Sequence, residues 1–467
     1  MGKIGGKGRT EGNRSAMMGT LLAGAFIALM AETFLNNALP TIMADFRISQ
    51  STAQWLSTSY LLVVGLMIPV SAWVFSNFQS KHAFIVMMAT FLTGSLVCTF
   101  SGGHFALLLT GRIIQAVAAG SLMPFIQNVV LLLFPPEKRG VALVVALGPT
   151  VGPTLSGFVL EHWSWRALFI LLAILSAAIL VASFFLVYTV NDRMRTHLDV
   201  ASVMYSCLGF GLLLYALSAI GDRGGASVLD LGLLLAGLMV VVLFCWRQLH
   251  LESPLVNLRV FANATFNLTS LLSTLSNIAM VGVELVLPLY LQNTRGSSAL
   301  VSGLVMLPGA IVMGIFNPLS GMIYQRIGAR RISLLGYTVL LAGTLPMIWF
   351  GTTTSLIVVA ACYALRLAGV ALVMMTTFTE GINALPSELA AHGNAAASTV
   401  RQVGGSLGTA AAMMIVTIGA QSGRHGGALS AQALDRGYRW AFLFLAFIAV
   451  VGLGASFFLK SRNSETR

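Results

Sequence analysis

Charged side chains inside long apolar runs of this sequence include Glu32 in GTLLAGAFIALMAETFLNN, Arg112 in LLLTGRIIQAVAAG and Glu284 in SNIAMVGVELVLPLY. An ionised group at the centre of a bilayer-spanning helix costs roughly 2.5–3.5 kcal/mol, so each needs a partner or a task. Helical spacing supplies neighbours. Asn36 is one turn beyond Glu32, and Gln115 shares the stripe of Arg112. Thr269, Ser273, Asn277, Met280 and Glu284 follow one another at spacings of 4, 4, 3 and 4, a single polar face over four turns. A carboxylate held away from water takes either a proton or a positively charged partner, and one excludes the other. Such a group converts an inward flow of protons into an outward flow of cargo, and one charge crossing 100 mV is worth about 2.3 kcal/mol. We therefore expect Glu32, Arg112 and Glu284 to serve proton coupling, and Glu32, Asn36, Gln115, Asn277, Met280 and Glu284 to contact substrate. The alternative is that Glu32 and Glu284 pair with Arg112, Arg366 or backbone groups as packing.

Elements that bury such residues must be membrane helices. Of 467 residues, 57% are hydrophobic and 9% charged, where a soluble protein carries about 25% charged residues. Apolar windows recur at 17–43, 53–77, 82–101, 105–134, 141–160, 166–190, 199–219, 227–246, 264–292, 300–324, 330–350, 354–379, 393–418 and 435–459, which makes fourteen spans. With the N-terminus inside, 17 Lys and Arg fall in inner segments, 7 in outer ones, and Arg112, Arg366 and Arg401 in spans. That asymmetry places both termini in the cytoplasm. The basic stretch before the first span is read as the flank of an uncleaved helix, since no A-x-A site follows it.

Several function classes drop out. The net charge of +12 is scattered through short loops and forms no nucleic-acid patch. The four cysteines, Cys98, Cys207, Cys245 and Cys362, sit in apolar segments without pairing or ligand spacing, so no disulfide, metal site or thiol chemistry is expected. GGKGRT lacks the spacing of a phosphate loop, and GGSLG in RQVGGSLGTA suits helix packing. With no reactive cluster and no filter-like ring, an enzyme or a passive channel is not expected. No cofactor is called for beyond the proton gradient.

The sequence also repeats. Arg112 in the fourth span and Arg366 in the twelfth are each followed by small residues, and the loops SAWVFSNFQSKH and GMIYQRIGARR are likewise eight spans apart. Two six-helix units with two helices inserted between them give that offset. The boundaries are an N-terminal tail at 1–16, a six-helix bundle at 17–190, two linker helices with their loops at 191–263, a second six-helix bundle at 264–459 and a C-terminal tail at 460–467. In ALGPTVGPTLSG, two Gly-Pro pairs four residues apart make a kinked surface on which helices can rock. Methionines such as Met280, Met306, Met313, Met374 and Met375, with Trp55, Tyr60 and Phe125, are candidates for an adaptable apolar lining.

AETFLNNALPTI, GRIIQAVAAG, GPTVGPTLSG with EHWSWRALF, ESPLVNLRVF, LPLYLQNTRGSSALVSGLVMLPG and HGNAAASTVRQVGGSLGTA together resemble the fourteen-helix drug:proton antiporters of the major facilitator superfamily, notably the lincomycin-resistance and multidrug-efflux branch. The resemblance implies an all-α integral membrane protein in a 6+2+6 arrangement, multi-pass in a bacterial cytoplasmic membrane and monomeric. It implies that Glu32 is the acidic residue of the first helix, that Arg112 is the buried arginine of the fourth, and that Gly148, Gly152, Pro153 and Gly157 form the antiporter motif. The cargo would be small amphipathic drugs, cationic or protonatable, exported by alternating access in exchange for protons. Export of an endogenous metabolite, peptide or lipid on the same fold is the alternative. The loop SAWVFSNFQSK lacks the family's usual aspartate and arginine, and the stretch Gly140–Gly152 is several residues shorter than in relatives.

Overall fold

The computed structural model describes residues 11–133, 148–191, 199–223, 225–252, 254–386, 389–421 and 431–459. Most of the N-terminal tail at 1–16, all of the C-terminal tail at 460–467 and the first part of the window at 141–160 lie outside the described residues. So do Lys138, Arg139, Arg193, Arg195 and Arg424 of the charge balance.

Among the described residues the chain is helical and contains no strand, as a segment in hydrocarbon must be to satisfy its own backbone. The helices are α1 (Glu11–Phe46), α2 (Gln50–Asn77), α3 (Ser80–Thr99), α4 (Phe105–Leu133), α5 (Gly148–His162), α6 (Arg166–Leu186), α7 (Val200–Arg223), α8 (Val228–His250), α9 (Ala264–Leu289), α10 (Ala299–Thr344), α11 (Leu356–Asn383), α12 (Ala390–Gln421) and α13 (Ala431–Ser456). Twelve of them are long and apolar enough to cross a membrane, against the fourteen windows of the sequence, and the difference has two sources. Helix α10 and the 3-10 turn after it form one run of 51 residues, which laid straight at ~1.5 Å per residue would far exceed ~30 Å of hydrocarbon. The run breaks at Gly328, with φ 78 and ψ 169, a backbone conformation that costs a side-chain-bearing residue dearly. Among the described residues helix α5 has 15 residues, and the start of its window, 141–147, lies outside them.

Helices α1 to α6 pack among themselves, as do α9 to α13, and α7 pairs with α8. The two larger groups meet where α5 lies along α10, α2 along α12 and α1 against α9, while α7 rests on α2 and α12. Burial separates inner from outer helices: 89% of the most apolar window of α9 is buried, against 17% for α8. The outward faces carry large apolar side chains such as Val86, Phe185, Val228, Leu235 and Ile357. Trp163, Trp246 and Trp349 are exposed near helix ends, where amphipathic rings anchor a bundle at the headgroups.

The α7–α8 hairpin is pinned at both ends. Arg247 grips Asp199 through Nε at 2.8 Å and Nη2 at 2.9 Å, and this hydrogen-bonded guanidinium holds the Asp199 carboxyl down at about 2. At the other end Arg223 pairs with Asp230 at 2.6 Å, and Ser227 and Asp230 form a capping box at the start of α8.

Candidate functional site

A cavity of about 220 Å³ lies where the two groups of helices meet. Glu32 reaches it from α1, and Asn277, Met280 and Glu284 from α9. The polar stripe read from the sequence therefore faces the interior, since α9 is surrounded by protein and 4, 3 and 4 residue steps hold one face of a helix. Met123 of α4, Met313 of α10 and Met374 of α11 add thioethers to the wall, and α12 contributes Ser398, Arg401 and Gln402.

The two carboxylates differ in their company. Glu32 accepts a hydrogen bond from Gln402 Nε2 at 3.4 Å, a link from the N-terminal helices to the C-terminal ones. Glu284 is 7% exposed and has neither a hydrogen bond nor an ion pair among the described residues. Asn277 donates from Nδ2 to the backbone oxygen of Arg401 at 3.0 Å, which ties α9 to α12 beside the cavity.

Arg112 and Arg366 stand behind this wall in matching roles. Arg112, 1% exposed, donates from Nη1 to Ala31 O at 3.1 Å and to Gln115 Oε1 at 3.0 Å, and from Nε to Leu56 O at 3.4 Å. Its guanidinium lies 4.0 Å from the centroid of the Tyr60 ring, a cation–π contact in a desolvated place. Arg366, fully buried, donates from Nη2 to Ala279 O at 2.6 Å and from Nε to Thr344 Oγ1 at 3.4 Å. Each arginine thus bonds the carbonyl of the residue immediately before a cavity residue, Glu32 in α1 and Met280 in α9. The sequence repeat has a geometric counterpart in this pair. Neither arginine forms an ion pair with Glu32 or Glu284 among the described residues.

Two residues expected at the cavity stand elsewhere. Gln115 is fully buried and spends its amide on Ser95 Oγ at 2.8 Å, which fixes α4 to α3. Asn36 accepts from Ser57 Oγ at 2.7 Å and is taken up between α1 and α2. Among the apolar candidates, Met280, Met313 and Met374 line the cavity, whereas Met375 is half exposed, Trp55 bonds Ser218 of α7 and Phe125 packs on Phe75.

The glycine and proline motif lies where α5 packs closely against α1 and α10. Gly148 opens α5, and a side chain at Gly152 would meet Thr33 Oγ1 of α1 at 2.0 Å. At Gly157 it would meet Ala299 O of α10 at 2.6 Å. Asn37 reaches across to α5 and α10, its Nδ2 donating to Pro153 O at 3.2 Å and to Ala299 O at 2.9 Å. Gln292, after α9, donates to Asn37 Oδ1 at 2.9 Å and to Asn37 O at 3.0 Å. One asparagine thereby ties α1, α5, α9 and α10. Further bonds between the two groups, Ser406 to Thr58 O at 2.8 Å, Thr154 to Gly303 O at 3.2 Å and Gln50 to Tyr438 Oη at 3.4 Å, carry the seam from the level of Glu32 toward the end of the bundle holding Gln50.

Residues 21–409 match the family model described as Major Facilitator Superfamily. The chain belongs to the major facilitator superfamily. Its relatives in that superfamily include the uncharacterized MFS-type transporter YcnB of Bacillus subtilis (strain 168), 42% identical over 96% of this chain and 95% of the relative. The lincomycin resistance protein LmrB of Listeria monocytogenes is 34% identical over 95% of this chain and 96% of its own. A solved structure of a bacterial homolog to human lysosomal transporter Spinster, inward-facing and unoccupied, covers 97% of this chain and 98% of its own at 14% identity with a TM-score of 0.65. At that identity the likeness is one of fold. A major facilitator chain of this kind is a multi-pass membrane transporter, and its family points to transport and not to an enzyme.

Arg401 and Gln402 are cavity residues that the sequence reading did not name as site residues. Their signal was present, because an arginine inside the thirteenth apolar window carries the same insertion cost as Arg112.

Proposed function

We propose that this transporter is a proton-coupled exporter of amphipathic compounds with a cationic or protonatable group. The observation that carries the reading is that Glu32 and Glu284, one from each group of helices, line the same cavity. A carboxylate there binds a proton or a positive cargo, and rocking of one group on the other presents it to either side in turn. Wall residues suit many shapes, because thioether side chains are flexible and polarisable. The relative named for lincomycin resistance favours a drug as cargo.

The same reading includes fourteen crossings in a 6+2+6 plan with both termini cytoplasmic. Support comes from the break at Gly328 within the 51-residue run, from α5 ending where a span is expected, and from the excess of basic residues on one side. The repeat relates Arg112 to Arg366, so 17–190 and 264–459 are the two rocking units and α7–α8 is the insert between them. The hydrogen-bonded seam from Glu32 to the Gln50 end corresponds to a state closed toward the outside, with Gly152, Pro153 and Gly157 as the surface on which α5 slides past α1 and α10.

The test is proton release from proteoliposomes loaded at low pH when amphipathic cations are added outside. Wild-type protein should release protons on addition of a transported cation, and Glu32→Gln should abolish the release. Unchanged release from that variant would remove Glu32 from the coupling step.

A further inference from the structure

Arg401 sets the cavity apart from a simple acidic trap. The other two interior arginines each place two guanidinium nitrogens on backbone carbonyls and neighbouring side chains and keep one, Nη2 of Arg112 and Nη1 of Arg366, without a partner. Asn277 bonds the backbone oxygen of Arg401, and the Arg401 guanidinium feels the charge of Glu32 across the cavity without bonding to it. The Arg401 side chain lines the cavity, makes no hydrogen bond among the described residues, and has no carboxylate oxygen within the 4.0 Å that defines an ion pair. A guanidinium offers five donors in a rigid fork that matches a carboxylate. No nitrogen of that fork is among the buried polar atoms left without a partner, so the fork is reachable from the cavity and free to take a ligand group. Facing the same space are Glu32, with one weak bond from Gln402, and Glu284, with none. Methionines from α4, α9, α10 and α11 fill the wall between.

We propose that the cargo is zwitterionic: an amphiphile bearing a cationic group that takes Glu32 or Glu284 and a carboxylate that takes the fork of Arg401, with its apolar body on the methionines. This rests on the cavity being the transport site, and it names the substrate class of that site. Electrostatics alone favour such a molecule over a plain cation, because Arg401 repels a cation that offers it nothing and attracts an acid group with two parallel hydrogen bonds. A plain anion fares worse, since it meets two carboxylates and leaves both without a partner.

The experiment compares two dyes that differ in one methyl group: rhodamine 110, which carries a xanthylium cation and a free carboxylate, and rhodamine 123, its methyl ester. Binding is read by fluorescence anisotropy on the full-length protein in nanodiscs, with empty nanodiscs subtracted. Wild-type protein should bind rhodamine 110 at least tenfold more tightly than rhodamine 123. Arg401→Gln should erase that preference by weakening the acid tenfold or more while leaving the ester equal or tighter, and Arg401→Lys should retain part of it. Undiminished binding of the ester reports that the variant is folded, and the wild-type ratio needs no variant. A wild-type protein that binds the ester as well as the acid, or binds neither dye, overturns the assignment, as does an Arg401→Gln protein that keeps the preference. Gradient-driven uptake of rhodamine 123 without preference for the acid would overturn it while leaving the exporter reading in place. Absence of uptake of either dye would count against both.

Discussion

Substituting Gly157 by alanine tests the seam between α5 and α10 at a point where backbone meets backbone. The added methyl would sit 2.6 Å from Ala299 O, about 0.8 Å inside the 3.4 Å at which ordinary contact begins, and 3.0 Å from Leu300 Cα. Both obstacles are backbone and cannot rotate away, so α5 and α10 must part. Asn37 Nδ2 spans that gap, with bonds of 3.2 Å to Pro153 O and 2.9 Å to Ala299 O, and it cannot keep both once the helices separate. Thr154 also loses its 3.2 Å bond to Gly303 O. Two to three lost bonds at ~1 kcal/mol each amount to ~2–3 kcal/mol, a shift of roughly 30- to 150-fold away from the state closed at this end. Gly152→Ala provides the internal comparison, because its methyl meets the hydroxyl of Thr33 at 2.0 Å, a group that can turn about its own χ1. Spin labels at Glu161 and Ser297, after replacement of the four native cysteines, report the separation by electron–electron double resonance. The long-distance population should rise strongly in Gly157→Ala and less in Gly152→Ala. A Gly157→Ala distribution identical to wild type would refute the seam as the element that closes.

Asn37→Ala removes the same junction from the α1 side, with the two donated bonds and the one accepted from Gln292 at 2.9 Å. It should open the labelled pair to a similar extent, by about 2–3 kcal/mol, and a label distance unchanged from wild type would contradict this. Arg112→Lys keeps the charge, but one ammonium cannot serve Ala31 O, Leu56 O and Gln115 Oε1 together. The cost should be about 2–3 kcal/mol, visible as a lower melting temperature in detergent; an unchanged melting temperature would contradict the role given to the fork. The Asp199 carboxyl stands near 2 in the folded protein, against 3.8 in the ordinary state. A depressed value means that the stability it contributes is present above about pH 4 and is lost as pH falls through 2. Asp199→Asn should therefore lower the melting temperature at pH 6 and make little difference at pH 2, and an equal loss at both would exclude the ion pair as the cause.

Much of this architecture was legible in the residues because lipid simplifies the rules. Apolar windows located the helices, and the polar stripe on α9 predicted which face of that helix looks inward. Its central position could not be read from its own periodicity, since burial of all its sides depends on α12, α11 and α13 packing around it. Gln115 and Asn36 show the limit of stripe reasoning. Each shares a face with a charged residue, but each has a nearer partner across a helix contact, Ser95 and Ser57, and helical spacing is silent on contacts between helices. Arg401 and Gln402 were hidden by the glycines around them: GGSLG reads as a packing segment, and Gly404 and Gly405 do pack closely on Thr274 and Asn277 of α9. Arg401 and Gln402, within one turn of those glycines, line the cavity. The run from Ala299 to Trp349 is a different case, because two apolar windows joined by GMIYQRIGARR predict a loop and the chain makes the turn with almost no loss of helix.

The central claim, that an acidic group in the cavity exchanges protons for cargo, is tested most directly with inside-out vesicles energised by an acidic interior. Accumulation of a fluorescent amphipathic cation is followed for wild type, Glu32→Gln, Glu284→Gln and the double variant, with expression matched. Wild type should accumulate the probe in proportion to the pH difference, and the double variant should show none of that gradient-driven component while still binding the probe. Full gradient-driven accumulation by the double variant would contradict the account.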